Sequence, residues 1–468
     1  MVPETSGRRS LICMLAACAL FVAAPRPDAT PRLKPSDQAA AELPNILVIV
    51  TDDQRADTLD VMPGTRRLFE RNGTRFPNAF VSTPLCCPAR ASIFSGRYVH
   101  NHGIFRSGTD PSKFDQEETM QAHLQDAGYL TAISGKYINN WKQNIDPPYF
   151  DRWAFFSRGS QAESDGYYDL KLNVDGQQKI ARNYSTHYVR NRALDFLEWF
   201  ELDDDRPWFL YVAPFAPHAP AVPEPKYWRA PVEEWEWSPS AFEQDVGDKP
   251  KYVQLSNAKP RRVTRLRTKQ LRTLMSVDDM VGRLFTRLKR LGEKRNTLAI
   301  FLSDNGFLWG EHRRSGKGVP YRESTQIPMM LRWPGHVLRG ATDNRFASNV
   351  DVAPTALAAA GLSTGGMDGR SLLNRAWRRD RVLLEFWGKA GNRVPGWASL
   401  RTAEHQYTEY YGEGPDAEVV VEREFYDLLA DPWQLENLVA GGEAGSEPPQ
   451  WMVDLLAADR RCMGVLCP

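Results

Sequence analysis

A cysteine pair, a proline and an arginine at fixed spacing are the residues of this chain best suited to chemistry. Residues 84–97 read PLCCPARASIFSGR, so that Cys86, Pro88 and Arg90 form a Cys-x-Pro-x-Arg pattern that runs into Ser-Gly-Arg. Proline is tolerated in the first turn of a helix, and the pattern therefore predicts that Cys86 lies just before a helix N-terminus. Backbone N–H groups at that position attract anions. Adjacent cysteines alone are more often buried apolar residues, but the complete pattern favours a reactive site.

Two further segments carry acidic side chains where predicted strands end. An unbroken apolar run at 46–50 stops at Thr-Asp-Asp, and a matching run at 297–302 stops at Ser-Asp-Asn-Gly. Such runs are typical of strands buried on both faces of a parallel sheet, and ligands collect at the carboxyl ends of those strands. Carboxylate and amide oxygens suit calcium or magnesium, although a single Asp-Asp pair is more often a turn or a helix cap. The candidate metal ligands are Asp52, Asp53, Asp304 and Asn305.

The chain as a whole is nearly neutral, which limits its partners. It has 468 residues, with 59 lysines and arginines against 58 aspartates and glutamates, for a net charge of +1. No molecule-wide field therefore attracts nucleic acid or an anionic membrane, and an anionic substrate must be bound by local charge. The hydrophobic content of 42% is that of a soluble globular protein, and the length allows a large domain and a smaller one.

The N-terminal segment predicts export, into the periplasm or the medium. Two arginines precede an apolar run at 11–24, which is too short to span a bilayer and is typical of a cleaved signal peptide. We therefore interpret 1–24 as a signal peptide, without a stable transmembrane anchor, and 25–43 as a proline-rich spacer. The alternatives are an uncleaved helix, or lipid attachment through Cys18, because Leu-Ala-Ala-Cys resembles a bacterial lipobox.

The remaining pattern predicts an α/β protein. Strand-like runs such as 208–213 and a long helical periodicity from Leu266 to Leu288 indicate a large mixed, mostly parallel sheet sandwiched by helices. After about residue 380, shorter strand-like pieces predict a smaller antiparallel sheet. We assign residues 44–380 to the catalytic domain and 381–468 to a C-terminal α+β subdomain.

Two cysteines near the C-terminus are informative about the cellular compartment of the protein. Cys462 and Cys467 enclose a short loop. In an oxidising compartment they are candidate disulfide partners, and otherwise they are two free thiols at the chain end.

The cysteine pattern with its Ser-Gly-Arg tail resembles the signature of type I sulfatases, and the similarity covers nearly the whole chain after the N-terminal segment. The resemblance implies an alkaline-phosphatase-like fold. It also implies that a formylglycine-generating maturation enzyme oxidises Cys86 to Cα-formylglycine, whose hydrate attacks a sulfate ester and then expels sulfate to restore the aldehyde. In this family the motifs matching Asp52-Asp53 and Asp304-Asn305 bind one calcium ion together with the modified Cys86.

Four more residues receive roles from the resemblance. Arg90 holds the formylglycine hydrate, Lys136 in a Gly-Lys-Tyr sequence binds the sulfate group, and Lys317 lies where the family has a second lysine. His218 matches the histidine that protonates the departing alcohol. Many sulfatases have a histidine two residues after the first lysine. Here that position is Ile138, as in the branch that contains N-acetylglucosamine-6-sulfatases and the heparan endosulfatases.

We therefore expect an exported, calcium-dependent hydrolase of sulfate monoesters, with the 6-sulfate of N-acetylglucosamine or a related sulfated glycan as the favoured substrate. Two other functions remain compatible with the sequence. One is a formylglycine-dependent phosphonate or phosphodiester hydrolase, and the other is a non-catalytic sulfoglycan-binding protein that keeps an unmodified cysteine. A basic stretch from Lys259 to Arg272 could contact a sulfated polysaccharide, although a basic helix start is more often a solvated face.

Overall fold

A computed structural model gives the fold of most of the chain. The predicted signal peptide, Cys18 and nearly all of the predicted spacer lie outside the residues that it describes. Within the described ranges, no helix combines the length and the apolar character needed to cross a bilayer. The described residues are 43–157, 165–388, 394–412, 418–442 and 447–468.

In the described part of the chain, strands and helices are interspersed from residue 45 to residue 359, and four strands and a helix follow from residue 381. The strands are β1 (Asn45–Thr51), β2 (Thr74–Arg75), β3 (Ala79–Phe80), β4 (Leu130–Lys136), β5 (Arg152–Phe156), β6 (Leu170–Val174), β7 (Gln177–Ala181), β8 (Trp208–Ala213), β9 (Thr297–Ser303), β10 (Leu308–Trp309), β11 (Ser315–Gly316), β12 (Met329–Arg332), β13 (Ala341–Thr342), β14 (Ala347–Ser348), β15 (Arg381–Phe386), β16 (Gly396–Thr402), β17 (His405–Tyr411) and β18 (Val420–Asp427). The helices are α1 (Pro63–Phe69), α2 (Cys86–Ser95), α3 (Val99–His102), α4 (Met120–Asp126), α5 (Ser185–Phe200), α6 (Lys251–Gln254), α7 (Pro260–Leu291), α8 (Arg322–Thr325), α9 (Val352–Ala359) and α10 (Gln450–Asp459).

A mixed sheet of ten strands forms the centre of the molecule. Its order is β13-β2-β12-β9-β1-β8-β4-β5-β6-β7. The five strands from β9 to β5 run parallel, and the strands β12, β6 and β7 that flank them are antiparallel to their neighbours. Parallel neighbours require crossover connections, which the helices supply. The predicted α/β class with a large, mostly parallel sheet is confirmed.

Strand β1 is buried along its whole length because helices cover both faces of the sheet. Ile46, Val48 and Val50 lie in one apolar core with residues of α2, α4 and α9. Leu47 and Ile49 point the other way, into a core formed with α1, α5 and α7. Each of these fully buried aliphatic side chains contributes about 1.5–3 kcal/mol to folding. Packing in the two cores therefore determines where in the sheet β1 ends, and it thereby positions the acidic residues that follow the strand.

The long helix predicted from Leu266 is longer than its apolar periodicity suggested. It begins at Pro260, a residue suited to a first helical position because its missing N–H has no partner there anyway. It ends before Gly292, which adopts a left-handed φ of 93° that favours glycine. The first turn is polar and basic, and apolar spacing alone therefore located the helix start too late.

The predicted antiparallel C-terminal sheet is confirmed as well. Strands β15-β16-β17-β18 form it in sequence order, and α10 packs against it. Strand β17 has the sequence HQYTEYY, whose polar residues concealed it from the sequence-based prediction. The disulfide between Cys462 and Cys467 is present, with 5.0 Å between the two Cα atoms.

His100 in α3 joins the main domain to this C-terminal sheet. Its Nδ1 lies 2.9 Å from Oε2 of Glu385 on β15, and its Nε2 lies 2.9 Å from the carbonyl oxygen of Cys462. Burial alone would lower the pKa of His100, but the hydrogen bond and charge of Glu385, with a smaller contribution from Asp368, raise it. The ion pair is therefore strongest at acidic pH.

Replacing His100 with asparagine should cost more stability at low pH than at high pH. Since the folded-state pKa is raised, the stabilisation is fully present below the ordinary value of 6.5 and is lost as the pH rises through the folded value. We expect a loss of about 1 kcal/mol in the free energy of unfolding near pH 5.5 and a smaller loss near pH 9. Denaturant unfolding at both pH values measures this, and an equal loss at both would contradict it.

Candidate active site

The ends of β1 and β9 bring the predicted acidic residues together. The two strands pair in parallel with Thr51 opposite Ser303. The segments that follow the two strands therefore leave the sheet side by side at the same edge. The backbone N–H of Asp53 donates to Oδ1 of Asp304 at 3.2 Å, and Nδ2 of Asn305 donates to Oδ1 of Asp53 at 2.7 Å. Two segments that are some 250 residues apart in sequence thus form one buried cluster of oxygens.

Asp53 adopts an unusual backbone conformation in the turn after β1. Its φ is 70°, in the left-handed region that non-glycine residues occupy only when other contacts hold them there. The hydrogen bonds to Asp304 and Asn305 supply those contacts. The turn aims the Asp53 carboxylate into the cluster rather than along the strand.

Helix α2 delivers Cys86 to the same cluster. The helix begins at Cys86 itself, and the sequence-based prediction that the cysteine lies just before it was wrong by a residue. The Cys86 Sγ lies 3.4 Å from Oδ1 of Asp52 and 2.6 Å from Nζ of Lys317. Burial, reinforced by the charge of Asp52, raises the pKa of the Cys86 thiol to about 12. At neutral pH the unmodified side chain is therefore a protonated thiol.

Lys136 is the last residue of β4 and is completely buried. Its Nζ donates to Oδ2 of Asp52 at 2.5 Å. Gly135 makes this position possible, because a Cβ atom there would lie 2.0 Å from the carbonyl oxygen of Ala213 on the neighbouring strand β8. Glycine at this position thus lets β4 lie against β8 and carry the lysine to the edge of the cluster.

Arg90 connects α2 to the ends of β9 and β4. One turn after Cys86 it donates from Nε to Oδ2 of Asp304 at 2.8 Å and from Nη1 to the carbonyl oxygen of Lys136 at 3.1 Å. Both partners of the Arg90–Asp304 ion pair are fully buried. Removal of either one would leave an uncompensated charge, which costs about 3–5 kcal/mol.

Lys317 follows the short hairpin of β10 and β11, and its ammonium group reaches the centre of the cluster. It contacts Oδ1 of Asp53, in addition to Cys86, and lies 3.3 Å from Oδ1 of Asn305. This residue had the weakest support from sequence, because the spacing after the second acidic motif varies. The structure brings it together with the other predicted site residues.

His218 completes the group from the loop after β8. Its Nε2 lies 3.7 Å from Oδ2 of Asp53, and its Nδ1 lies 2.6 Å from the carbonyl oxygen of Ala219. Burial lowers the pKa of His218 to about 4, against the opposing charges of Asp53 and Asp52. The imidazole is therefore neutral at pH 7, with its proton on Nδ1, where the carbonyl oxygen accepts it.

The carboxyl groups of the cluster differ in their affinity for protons. Burial alone would raise the pKa of Asp52, but Lys136 and other nearby cations outweigh it and hold the pKa well below its usual range. Lys317 lowers the pKa of Asp53 in the same way. Burial and the charge of Asp52 raise the pKa of Asp304 to about 6. Like-charge repulsion in a buried site separates the three values.

The donor set fits a hard divalent cation. Three carboxylates and one amide oxygen, all buried, come from two strand ends, and calcium takes six to eight such oxygen ligands. Ligand atoms of Asp52, Asp53, Cys86 and His218 lie within 4.8 Å of one another. Asp304 and Asn305 each contact Asp53, so that Asp52, Asp53, Asp304 and Asn305 could hold the ion together with the side chain at position 86.

A buried ion pair next to the cluster escaped the sequence-based prediction. Arg55 donates from Nη1 to Oε1 of Glu311 at 2.7 Å and to the carbonyl oxygen of Phe307 at 3.1 Å. It thereby ties the turn after β1 to the loop after β9. The position of Arg55 directly after Asp52-Asp53-Gln54 was the one sequence feature that could have indicated a role at the site. Glu311 has no neighbouring motif that would have pointed to it.

Comparison with known families and proteins gives a consistent result. A family model described as Sulfatase matches residues 44–362, and one described as N-sulphoglucosamine sulphohydrolase, C-terminal, matches residues 310–447. The human N-acetylglucosamine-6-sulfatase is 30% identical over 86% of this chain and 82% of its own length. A Drosophila melanogaster extracellular sulfatase homologue is 32% identical over 75% of this chain. The chain spans between a third and a half of the length of the extracellular sulfatase relatives that it matches.

One solved structure of similar fold is that of a protein with its substrate bound. It is a protein in complex with its substrate, D-glucosamine-2-N,6-O-disulfate, and it superposes with a TM-score of 0.77 at 23% identity. The superposition covers 89% of this chain and 97% of that protein. At this identity the likeness establishes the fold alone.

Proposed function

We propose that this chain, which belongs to the sulfatase family, hydrolyses sulfate monoesters, with 6-sulfated glucosamine of a glycan as the substrate. The observation that carries the proposal is the cluster around Cys86, which combines three buried carboxylates with two buried cations and the partly buried Lys317. Such a site neutralises a sulfate group while holding a nucleophile at its sulfur. The names of the N-acetylglucosamine-6-sulfatase relatives support the choice of sugar.

The nucleophile forms at Cys86 after translation. With a pKa near 12, the thiol itself would be a poor nucleophile at neutral pH. Conversion to formylglycine supplies a gem-diol, one hydroxyl of which attacks sulfur while the other allows sulfate to be expelled and the aldehyde restored. An oxygen of the hydrate would lie approximately where the Cys86 Sγ lies now, which is in contact with Nζ of Lys317.

Three cations position the sulfate group and stabilise the charge that develops on its oxygens. Lys136 reaches the cluster at Asp52 and Lys317 reaches it at Asp53, while Arg90 holds the helix end against Asp304. Because Arg90 and Lys136 are buried and Lys317 is largely so, their charges act in a medium of low dielectric constant. A calcium ion bound by the four acidic and amide residues would add Lewis-acid polarisation of the sulfate oxygens.

His218 transfers the proton. Its Nδ1 donates to the carbonyl oxygen of Ala219, which directs Nε2 toward Asp53 and the reacting centre. Nε2 is thus the atom that takes up a proton as the nucleophile attacks and returns it to the departing alcohol oxygen. This role matters most for substrates whose alcohol is a poor leaving group.

Replacing His218 with alanine should therefore impair sugar sulfates far more than aryl sulfates. We expect kcat for a glucosamine 6-sulfate to fall about 100- to 10,000-fold, because a sugar alkoxide needs protonation. A nitrophenyl sulfate, whose phenolate leaves without a proton, should lose much less. Parallel kinetics on the two substrates measure the difference, and equal losses would contradict the assigned role.

Removal of calcium should abolish activity and lower stability. Calcium at a hundred times its Kd should add about 2.7 kcal/mol to the free energy of unfolding, because it binds the folded state only. Thermal unfolding with calcium and with a chelator measures the shift, which Asp53→Asn should eliminate. A second group of acids at Glu201, Asp204 and Glu293 provides the control. Asp204→Asn should leave the shift intact, and an unchanged shift in Asp53→Asn would place the ion elsewhere.

Turnover of a panel of esters tests the proposed identity of the substrate. The purified enzyme should release sulfate from 6-sulfated glucosamine and from an aryl sulfate, and should turn over an aryl phosphodiester poorly. A strong preference for the diester would support a phosphodiester or phosphonate hydrolase instead. Binding of sulfated sugar without any turnover, together with an intact thiol at Cys86, would indicate a sulfoglycan-binding protein.

We also propose that the protein is exported. The disulfide between Cys462 and Cys467 is typical of an oxidising compartment, and two relatives are named extracellular sulfatases. Fractionation of the native host, with mass analysis of the mature N-terminus, tests this proposal. A protein that begins after residue 24 supports a cleaved signal peptide, whereas a lipid on Cys18 supports anchoring.

A further inference from the structure

A cavity of about 960 Å³ with strongly basic walls lies beside the proposed active site. It is formed by the first turns of α7, by the segment that precedes this helix and by the tight turn between β10 and β11. Six cationic side chains line it, and none of its described lining residues is acidic. The six are Lys259, Arg262, Arg265, Lys269, Arg313 and Arg314.

These six cationic side chains have neutral partners or none among the carboxylates of the described residues. Within the described ranges, none of the six forms a salt bridge with a carboxylate. Arg313 donates from Nε to the carbonyl oxygen of Glu243 at 2.7 Å, and Arg314 donates from Nη1 to Oγ of Ser256 at 2.7 Å. Neutral acceptors thus hold both arginines in place and leave their charge available, in contrast to the paired cations of the active site.

The cavity adjoins the catalytic residues along the chain. Ala219 and Pro220 belong to its wall and directly follow His218, while Ser315 belongs to its wall and lies two residues before Lys317. The cavity is therefore built in part by the two segments that carry the proton-transfer residue and one of the sulfate-binding lysines.

We propose that this basic cavity binds the sulfate and carboxylate groups of sugars that neighbour the scissile one, so that the preferred substrate is a polyanionic glycan chain rather than a monosaccharide. The proposal rests on the proposed function, since it presumes that a sulfate ester is cleaved at Cys86. It assigns a role to the basic stretch from Lys259 to Arg272, which the sequence alone favoured as a solvent-exposed helix face.

The arrangement of the charges fits a short, repeating polyanion. Arg262, Arg265 and Lys269 are three and four residues apart in α7 and therefore share one face of the helix. From the first to the last they span about 10 Å along the helix axis. With the six positive charges set aside, the net charge of +1 leaves −5 for the rest of the chain. The excess positive charge is therefore local to the cavity, and a segment of a few charged sugars lies within its field.

Binding by a charge-reversed variant tests the proposal independently of turnover. In a Cys86→Ala background, Arg262→Glu with Arg265→Glu should raise the Kd for a sulfated glucosamine–uronate hexasaccharide about tenfold at low ionic strength, and less at high salt. The control is Lys289→Glu with Arg290→Glu, at the other end of the same helix. It makes the same change in net charge at exposed residues and should alter Kd less than about twofold. Isothermal calorimetry measures both.

Kinetics in the unmutated Cys86 background give a second measurement. The cavity variant should raise KM for the hexasaccharide about tenfold and leave kcat/KM for an aryl sulfate within about twofold of the parent value. Equal changes in Kd for the two charge reversals, or none in either, would overturn the proposal, as would equally tight binding of a single-stranded oligonucleotide of matched charge. If the parent protein cleaves no sulfate ester, the proposed function fails, and the calorimetry still decides whether the cavity binds a sulfated glycan.

Discussion

Replacing Cys86 with alanine should abolish sulfate-ester hydrolysis while leaving the fold intact. We expect a loss of about a millionfold, the size seen when an enzyme loses its nucleophile. The residue is buried but small, and alanine removes only the sulfur at the N-terminus of α2, so that stability should change little. Turnover of an aryl sulfate and denaturant unfolding of the same preparation measure the two effects.

Cys87 provides the matched control for this substitution. It is equally buried, one residue further along the helix, and its Sγ lies 3.9 Å from the carbonyl oxygen of Asn139 rather than near the acidic cluster. Cys87→Ala should therefore retain activity within a few-fold of the parent. Appreciable residual turnover in Cys86→Ala, or an equal loss in Cys87→Ala, would contradict the proposed nucleophile.

Replacing Lys136 with alanine should also impair catalysis strongly, although less than loss of the nucleophile. The Lys136 ammonium is assigned to the sulfate oxygens, and loss of one such group costs about 100- to 1,000-fold in kcat/KM. The substitution also leaves Asp52 without its partner at 2.5 Å, which should lower the free energy of unfolding by about 3–5 kcal/mol. Kinetics at a temperature where the variant remains folded separate the two effects.

Lys249 offers a control with similar burial and no catalytic role. Its Nζ is fully buried, pairs with Asp248 at 2.7 Å and lies 3.7 Å from Glu243, outside the acidic cluster. Lys249→Ala should lose comparable stability but keep its kcat/KM per folded molecule. If both variants lose activity only in proportion to their unfolded fraction, Lys136 has a structural role alone.

The sequence predicted the parts of the fold that rest on local patterns. The continuous apolar runs of β1 and β9 indicated buried parallel strands, and both are present with the acidic residues at their ends. Strand β17 was missed because glutamate and threonine within its tyrosine-rich sequence interrupt the alternation that identifies a strand. These polar side chains find their partners in the folded sheet. Thr408 donates from Oγ1 to Oγ of Ser399 on β16 at 2.9 Å, and Glu409 accepts from Tyr407 of its own strand at 2.8 Å.

The candidate site was predictable as a set of residues but not as a geometry. Its motifs named Cys86, Lys136 and His218 one by one. The parallel pairing of β8 with β1 and with β4, together with the position of α2, brings them to a shared centre around Asp52 and Asp53. The basic cavity could not be predicted in the same way. Its charges come from α7 and from Arg313 and Arg314 in a distant hairpin turn, and no pattern in the sequence joins those segments.

The mass of the peptide that contains residue 86 tests the central claim most directly. Trypsin releases it as residues 76–90, with Cys86 and Cys87 both inside. We predict that an active preparation contains an aldehyde in place of the Cys86 thiol, and that specific activity rises in proportion to the converted fraction across preparations. Full activity in protein whose residue 86 remains a thiol throughout would contradict the account.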